Sequence, residues 1–195
     1  MMSSNHLDRR QAVARLLRDR ANALVVTGLG SATYDVAAAG DSPRNFYLWG
    51  AMGGTASLAL GLALAQPDTP VIAITGDGEM LMGLGSFSTI GLAQPANLIV
   101  VVLDNGLYGE TGAQQSHTVA TDLAAAAGAC GIRDIGVVRT EAELERLAAD
   151  IAAPGQGPRV RVIKIDAAEN ARLVPLREGA HAKVRFRQAL GLGAE

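Results

Sequence analysis

Apolar residues recur at helical spacing between residues 7 and 20, where Val13, Leu16 and Leu17 share one face and the arginines lie elsewhere. Residues 23–27 form a short apolar strand that Gly28-Leu29-Gly30 ends, and Ser31 is placed to cap a helix reaching about residue 38. Asp41-Ser42-Pro43 is a turn, and residues 46–48 are a short extended piece. After Gly50-Ala51-Met52-Gly53-Gly54, a small-residue helix runs over about 55–65. A buried strand covers 71–75, the turn Gly76-Asp77-Gly78 follows at once, and a helix covers 84–92. The strongest strand is 98–103, an unbroken apolar run of the kind buried on both faces of a sheet. Residues 105–121 form a long polar loop. A helix (122–129), a strand (135–138), a helix (141–151, capped by Thr140) and a strand (160–165) complete the pattern. Strands alternating with helices predict an α/β three-layer sandwich with a mostly parallel central sheet flanked by helices. No repeat or linker divides residues 1–195, so one domain is expected, with 167–195 an extension packing on it or on a partner.

Composition narrows the class. Apolar residues make up 49% of the chain and aromatics only 4%, so the core must be built from Ala, Val, Leu and Ile. A formal net charge of -2 carries no nucleic-acid footprint. The last stretch is mildly basic, with Arg172, Arg177, Lys183, Arg185 and Arg187 against Glu178 and Glu195, which reads as a solvated surface or a partner contact. The single cysteine, Cys130, permits no internal disulfide, fits a cytoplasmic protein and reads as a small core residue. The N-terminus lacks the apolar region of a secretory leader, and no apolar run of about 18 residues predicts a membrane span.

Ligands in open α/β sheets bind at the carboxyl ends of strands. Three segments qualify: Gly28-Leu29-Gly30-Ser31, Gly76-Asp77-Gly78 and Asp104-Asn105-Gly106. Asp77 offers a carboxylate and Asn105 an amide carbonyl, hard oxygens of the kind Mg²⁺ prefers beside phosphates. The glycines beside Asp77 let backbone N–H groups approach a phosphate. By composition alone, these are equally well two ordinary strand-to-helix turns. A nicotinamide-dinucleotide site is a weaker alternative, because Thr33 replaces the third glycine of its fingerprint.

The spacing has a family likeness. Asp77 and Asn105, 28 positions apart and introduced by Gly76 and Asp104, resemble the thiamine diphosphate (ThDP) binding motif. The resemblance implies that the Asp77 and Asn105 side chains and the Leu107 carbonyl hold Mg²⁺, and that Gly28, Gly30, Ser31, Gly76, Gly78, Glu79 and Tyr108 lie along the cofactor. Leu48-Trp49-Gly50-Ala51-Met52-Gly53 resembles the segment that holds the aminopyrimidine ring. It implies that the Gly50 carbonyl accepts a hydrogen bond from the pyrimidine amino group and that Met52 is the apolar wedge bending the cofactor. Within residues 46–117 the chain resembles the sulfopyruvate and phosphonopyruvate decarboxylases, notably at Gly85-Ser86-Phe87-Ser88 and Tyr108-Gly109-Glu110-Thr111-Gly112. Two positions depart from the pattern. Glu79 stands where a small residue is usual, so it must turn away from a diphosphate or help hold the cation. Gly30 stands where a hydroxyl residue is usual.

In this family the activating glutamate belongs to a separate pyrimidine-binding domain, for which 195 residues leave no room. The resemblance therefore implies a beta-type subunit of a ThDP- and Mg²⁺-dependent 2-oxo acid decarboxylase, completed by a pyrimidine-binding alpha-type partner in an α2β2 or larger assembly. A carboligase subunit of the acetolactate-synthase kind and a non-catalytic cofactor-binding subunit remain open alternatives. Glu110 and His117 in the long loop are the candidates for contact with a small 2-oxo acid, although His117 reads nearly as well as a surface residue; His6 and His181 read as surface residues.

Overall fold

The computed structural model describes residues 6–193; residues 1–5, within the segment read for a leader, and Glu195 of the basic stretch lie outside the described residues. In chain order the elements are α1 (Arg9–Arg18), β1 (Leu24–Thr27), α2 (Ser31–Ala38), β2 (Asn45–Tyr47), α3 (Thr55–Ala65) and β3 (Val71–Gly76). Then come α4 (Asp77–Met82), α5 (Ser86–Ala93), β4 (Leu98–Asp104), the hairpin β5 (Leu107–Tyr108) and β6 (Gln114–Gln115), and α6 (Leu123–Ala129). β7 (Asp134–Val138), α7 (Glu141–Asp150), β8 (Arg159–Lys164) and α8 (Gly179–Ala189) follow.

Six strands form one sheet in the order β2-β1-β3-β4-β8-β7, and every neighbouring pair is parallel. Alternate residues of each strand feed two cores. Val25, Ile72 and Val101 pack under α1, α2 and α7 with Leu16, Val36 and Leu147. Val26, Ala73 and Val100 pack under α3, α5 and α6 with Ala59, Phe87 and Ala127. All seven residues of β4 are buried, the six apolar ones as a strand covered on both faces requires and Asp104 at its tip. The expected three-layer α/β sandwich is therefore present. Among the described residues no helix is long and apolar enough to cross a membrane.

The differences from the sequence reading have local causes. Gly76-Asp77-Gly78 is not a free turn, because α4 starts at Asp77 directly off β3. α4 ends where a Cβ on Gly83 would stand 2.2 Å from the Gly53 carbonyl oxygen, so two backbones meet there with no room for a side chain. Ser31 does not cap α2. The cap position is Gly30, at φ 74° and ψ -147°, a conformation open to glycine, with no side-chain cap bond. Arg9, off the apolar face of α1 in the sequence pattern, is buried, at 6% exposure. The C-terminal extension is ordered: Phe186 of α8 meets Phe46 edge-on at 5.3 Å. Its arginines also make contacts within the chain, Arg185 with Asp41 at 2.6 Å and the exposed Arg177 and Arg172 over the Trp49 and Tyr34 rings. Cys130 closes α6, half-buried against the second core.

Candidate active site

Strand order reverses beside β1: the chain lays β2 on one flank, then crosses back to place β3 on the other. Crevices form at such switch points, outside the carboxyl ends of the strands. A cavity opens there, with Leu29, Gly30 and Ser31 after β1, Gly76 to Glu79 after β3, and Asn105 and Leu107 after β4. Its volume is about 160 Å³, below the roughly 300–1,000 Å³ of a complete small-molecule pocket.

Asp77 sits at the centre of this wall and is 2% exposed. Its Oδ2 accepts a hydrogen bond from Ser116 Oγ. Thr118 Oγ1 lies 3.3 Å from the same oxygen and 3.1 Å from Asp104 Oδ1, and its single proton serves one of them at a time. Burial pushes the Asp77 carboxyl above the usual carboxylate range; the Ser116 bond pulls it back, and nearby Asp104 adds to the rise. Lys164 pairs with Asp104. Among the described residues no lysine or arginine pairs with Asp77. Two buried carboxylates thus share one lysine, and the unbalanced one faces the cavity.

The neighbouring donors suit a hard divalent cation. Asn105 Oδ1 accepts the Leu107 amide at 3.0 Å, folding the loop into a turn while leaving a second lone pair free. A Cβ on Gly76 would meet nothing within 4 Å, so the wall leaves open space at that point. Carboxylate, amide oxygen and backbone carbonyl form the oxygen set that Mg²⁺ accepts beside a phosphate.

The other candidates divide. Met52, Tyr108 and Glu110 also line the cavity, whereas Gly28, Gly50 and His117 do not. Gly28 instead makes room for Glu79: a Cβ there would stand 2.2 Å from Glu79 Oε1. The Glu79 carboxylate accepts hydrogen bonds from Thr55 Oγ1 at 2.5 Å and Thr75 Oγ1 at 2.9 Å, so its oxygens are engaged by side chains rather than aimed at a phosphate. Gly50 is exposed at φ 76°. His117 is exposed, and its Nδ1 lies 3.0 Å from the Tyr108 hydroxyl. The Tyr108 ring in turn covers Gly78 so closely that a Cβ there would lie 2.4 Å from it. Sequence reasoning missed Ser116, Thr118 and Arg9. The hydroxyls carry no signal inside a polar loop, and the partner of Arg9 is Asp35, distant in sequence.

Residues 28–165 match the model of the thiamine pyrophosphate enzyme family, C-terminal TPP binding domain. The chain is 36% identical over 188 residues to sulfopyruvate decarboxylase subunit beta of Methanococcus maripaludis, covering 94% of this chain and 98% of that one. It is 40% identical over 144 residues to phosphonopyruvate decarboxylase of Streptomyces viridochromogenes, covering 73% of this chain but only 35% of that protein. Among solved structures, the thiamine diphosphate-dependent 4-hydroxybenzoylformate decarboxylase of Rhodococcus jostii RHA1 superposes with a TM-score of 0.68 at 19% identity, over 87% of this chain and 34% of that one. That likeness is one of fold.

Proposed function

Because the chain belongs to the thiamine pyrophosphate enzyme family, C-terminal TPP binding domain, we propose that it is the beta-type subunit of a ThDP- and Mg²⁺-dependent 2-oxo acid decarboxylase of the sulfopyruvate and phosphonopyruvate kind. The observation that carries this reading is the buried Asp77 carboxylate, without a cationic partner among the described residues, beside Asn105 and Leu107 in a cavity at the strand tips. In this reading Asp77, Asn105 and the Leu107 carbonyl hold Mg²⁺ against the diphosphate. Gly30, Ser31, Gly76, Gly78 and Tyr108 line the diphosphate. Gly28 and Glu79 support that wall from behind, and the Gly50 carbonyl receives the pyrimidine amino group. When bound, ThDP supplies the electron sink for loss of CO₂ from a 2-oxo acid.

The small cavity and the match to one domain support a composite site, in which a pyrimidine-binding partner supplies the activating glutamate. Met52 and Met82, at 38% and 63% exposure, and the exposed Leu64 of α3 are apolar surface of the sort a partner covers. We read the whole chain as one diphosphate-binding domain with the segment from residue 167 as an extension packed on it, acting in the cytoplasm within an α2β2 or larger assembly. The test is to combine the chain with a pyrimidine-binding partner, ThDP and Mg²⁺ and measure CO₂ release from sulfopyruvate, phosphonopyruvate and pyruvate. Acetolactate as the main product from pyruvate would establish the carboligase alternative. Tight ThDP binding with no turnover on any 2-oxo acid would establish a cofactor-binding subunit without catalysis.

Two side-chain expectations follow. Met52→Ala should leave ThDP affinity near wild type while lowering kcat roughly 10-fold, because the bent cofactor geometry is less well enforced. Equal kcat at saturating ThDP would remove Met52 from the wedge role. In the loop, Glu110→Ala should raise KM for the 2-oxo acid more than His117→Ala does, since Glu110 lines the cavity and His117 does not. If both variants keep wild-type kinetics on the true substrate, the substrate pocket belongs to the partner chain.

A further inference from the structure

We propose that Arg9 is a cofactor ligand that binds the terminal phosphoryl group of the diphosphate; the inference rests on the ThDP reading above. Arg9 opens α1 and is 6% exposed. Its Nε donates to Oδ2 of Asp35, a residue with no exposure. The other oxygen of Asp35 accepts Arg10 Nε at 2.9 Å. Two guanidinium groups on one carboxylate leave a positive charge unbalanced. Arg10 is tied further, by Nη2 to the Ala171 carbonyl at 2.6 Å. Arg9 is not: among the described residues only its Nε is bonded, and its terminal nitrogens keep access to solvent in the pocket.

Arg9 lines the main cavity and also a second, adjoining pocket. The wall common to both includes Ser31 and Asn105, two residues assigned above to the diphosphate end. Glu110 shares that wall, but the cation nearest to it is Arg172, at 3.8 Å. A guanidinium anchored through Nε in a cavity wall, its terminal donors met by solvent alone, is free to offer those donors to a ligand. Phosphoryl oxygens accept them in a forked geometry that a guanidinium matches and an ammonium does not. Asp35 then acts as a positioning residue, spending Nε so that the terminal nitrogens face the cavity wall.

The experiment is calorimetry on the full chain in Mg²⁺, with ThDP and thiamine monophosphate as probes, for wild type, Arg9→Gln and Arg9→Lys. Loss of charged hydrogen bonds predicts that Arg9→Gln weakens ThDP roughly 10- to 100-fold and thiamine monophosphate much less. Arg9→Lys keeps a cation against Asp35 and so preserves the fold should Arg9→Gln lose it. Its single nitrogen cannot serve both Asp35 and a phosphate, so its ThDP affinity should also fall, by several-fold or more. Wild-type ThDP affinity in Arg9→Lys overturns the proposal, as does a change confined to the KM of the 2-oxo acid in the assembled enzyme. A wild-type chain that binds ThDP no better than thiamine monophosphate instead removes the cofactor reading itself.

Discussion

Asp77→Ala is expected to weaken Mg²⁺-dependent ThDP binding by more than roughly 100-fold, beyond the loss typical of residues that merely support a metal ligand. The variant removes a buried carboxylate of the cavity that has no cationic partner among the described residues; Glu79, the other, is held by Thr55 and Thr75. Asp77→Asn makes the sharper comparison, because it keeps the volume and still offers an oxygen to Ser116. Burial holds the Asp77 carboxyl above its ordinary range in the folded chain. A carboxyl raised in this way stabilises the fold fully only below its unfolded value, and that contribution is lost as pH rises through the folded one. Above that value the cation-free chain carries the cost of burying the carboxylate charge. Asp77→Asn should raise the Tm of the cation-free chain at pH 7 by a few degrees, an advantage that disappears in acid. Mg²⁺ should raise the Tm of wild type and leave that of the variant unmoved. Calorimetry showing wild-type ThDP affinity in Asp77→Ala would discard the metal assignment.

The isolated chain should show no measurable 2-oxo acid decarboxylation with ThDP and Mg²⁺ supplied, and adding the partner should restore it. Without the partner, the cavity is smaller than a complete small-molecule pocket. The carboxylates lining it are Asp77, Glu79 and Glu110, and Glu110 lies 3.8 Å from Arg172. Glu79 is bonded to Thr55 and Thr75. Asp104 is paired with Lys164, and Asp77 is assigned to the metal. Loss of a positioned proton-transfer group alone costs roughly 10²- to 10⁴-fold, and loss of the pocket around the ring adds to that. Purifying the polypeptide by itself and measuring CO₂ release decides the matter. Robust turnover would mean that one of these carboxylates activates the cofactor and that the composite site is wrong.

Features written in contiguous residues were legible. The all-apolar run of β4 and the turn residues around it fixed the parallel sheet, and Thr140 caps α7 as expected, with Glu143 completing the capping box. That Asp77 and Asn105 stand at strand tips was legible from the apolar strands before them, while their choice as metal ligands came from the resemblance to the ThDP motif. What escaped depends on pairs remote in sequence. Nothing near Arg9 announces that Asp35 draws it inward, and a polar loop does not reveal that Ser116 reaches Asp77. α4 was hidden because Gly-Asp-Gly reads as a turn, while the packing of Gly83 on Gly53 that defines its end is purely tertiary. α8 was missed because only Ala182 and Phe186 are buried, too few to show a helical stripe.

Spatial and sequence order disagree at one edge of the sheet: β8 lies between β4 and β7 although it is synthesised after both. A nascent chain that has just delivered β7 holds a strand with no neighbour and, in β4, an apolar edge with an open hydrogen-bonding ladder. Such edges recruit other chains, and parallel pairing over long sequence separations closes them slowly. A ribosome translating this message therefore carries a sticky intermediate until Lys164 has emerged. Premature termination anywhere between Val138 and Arg159 releases a fragment suited to aggregation rather than to degradation as a soluble chain.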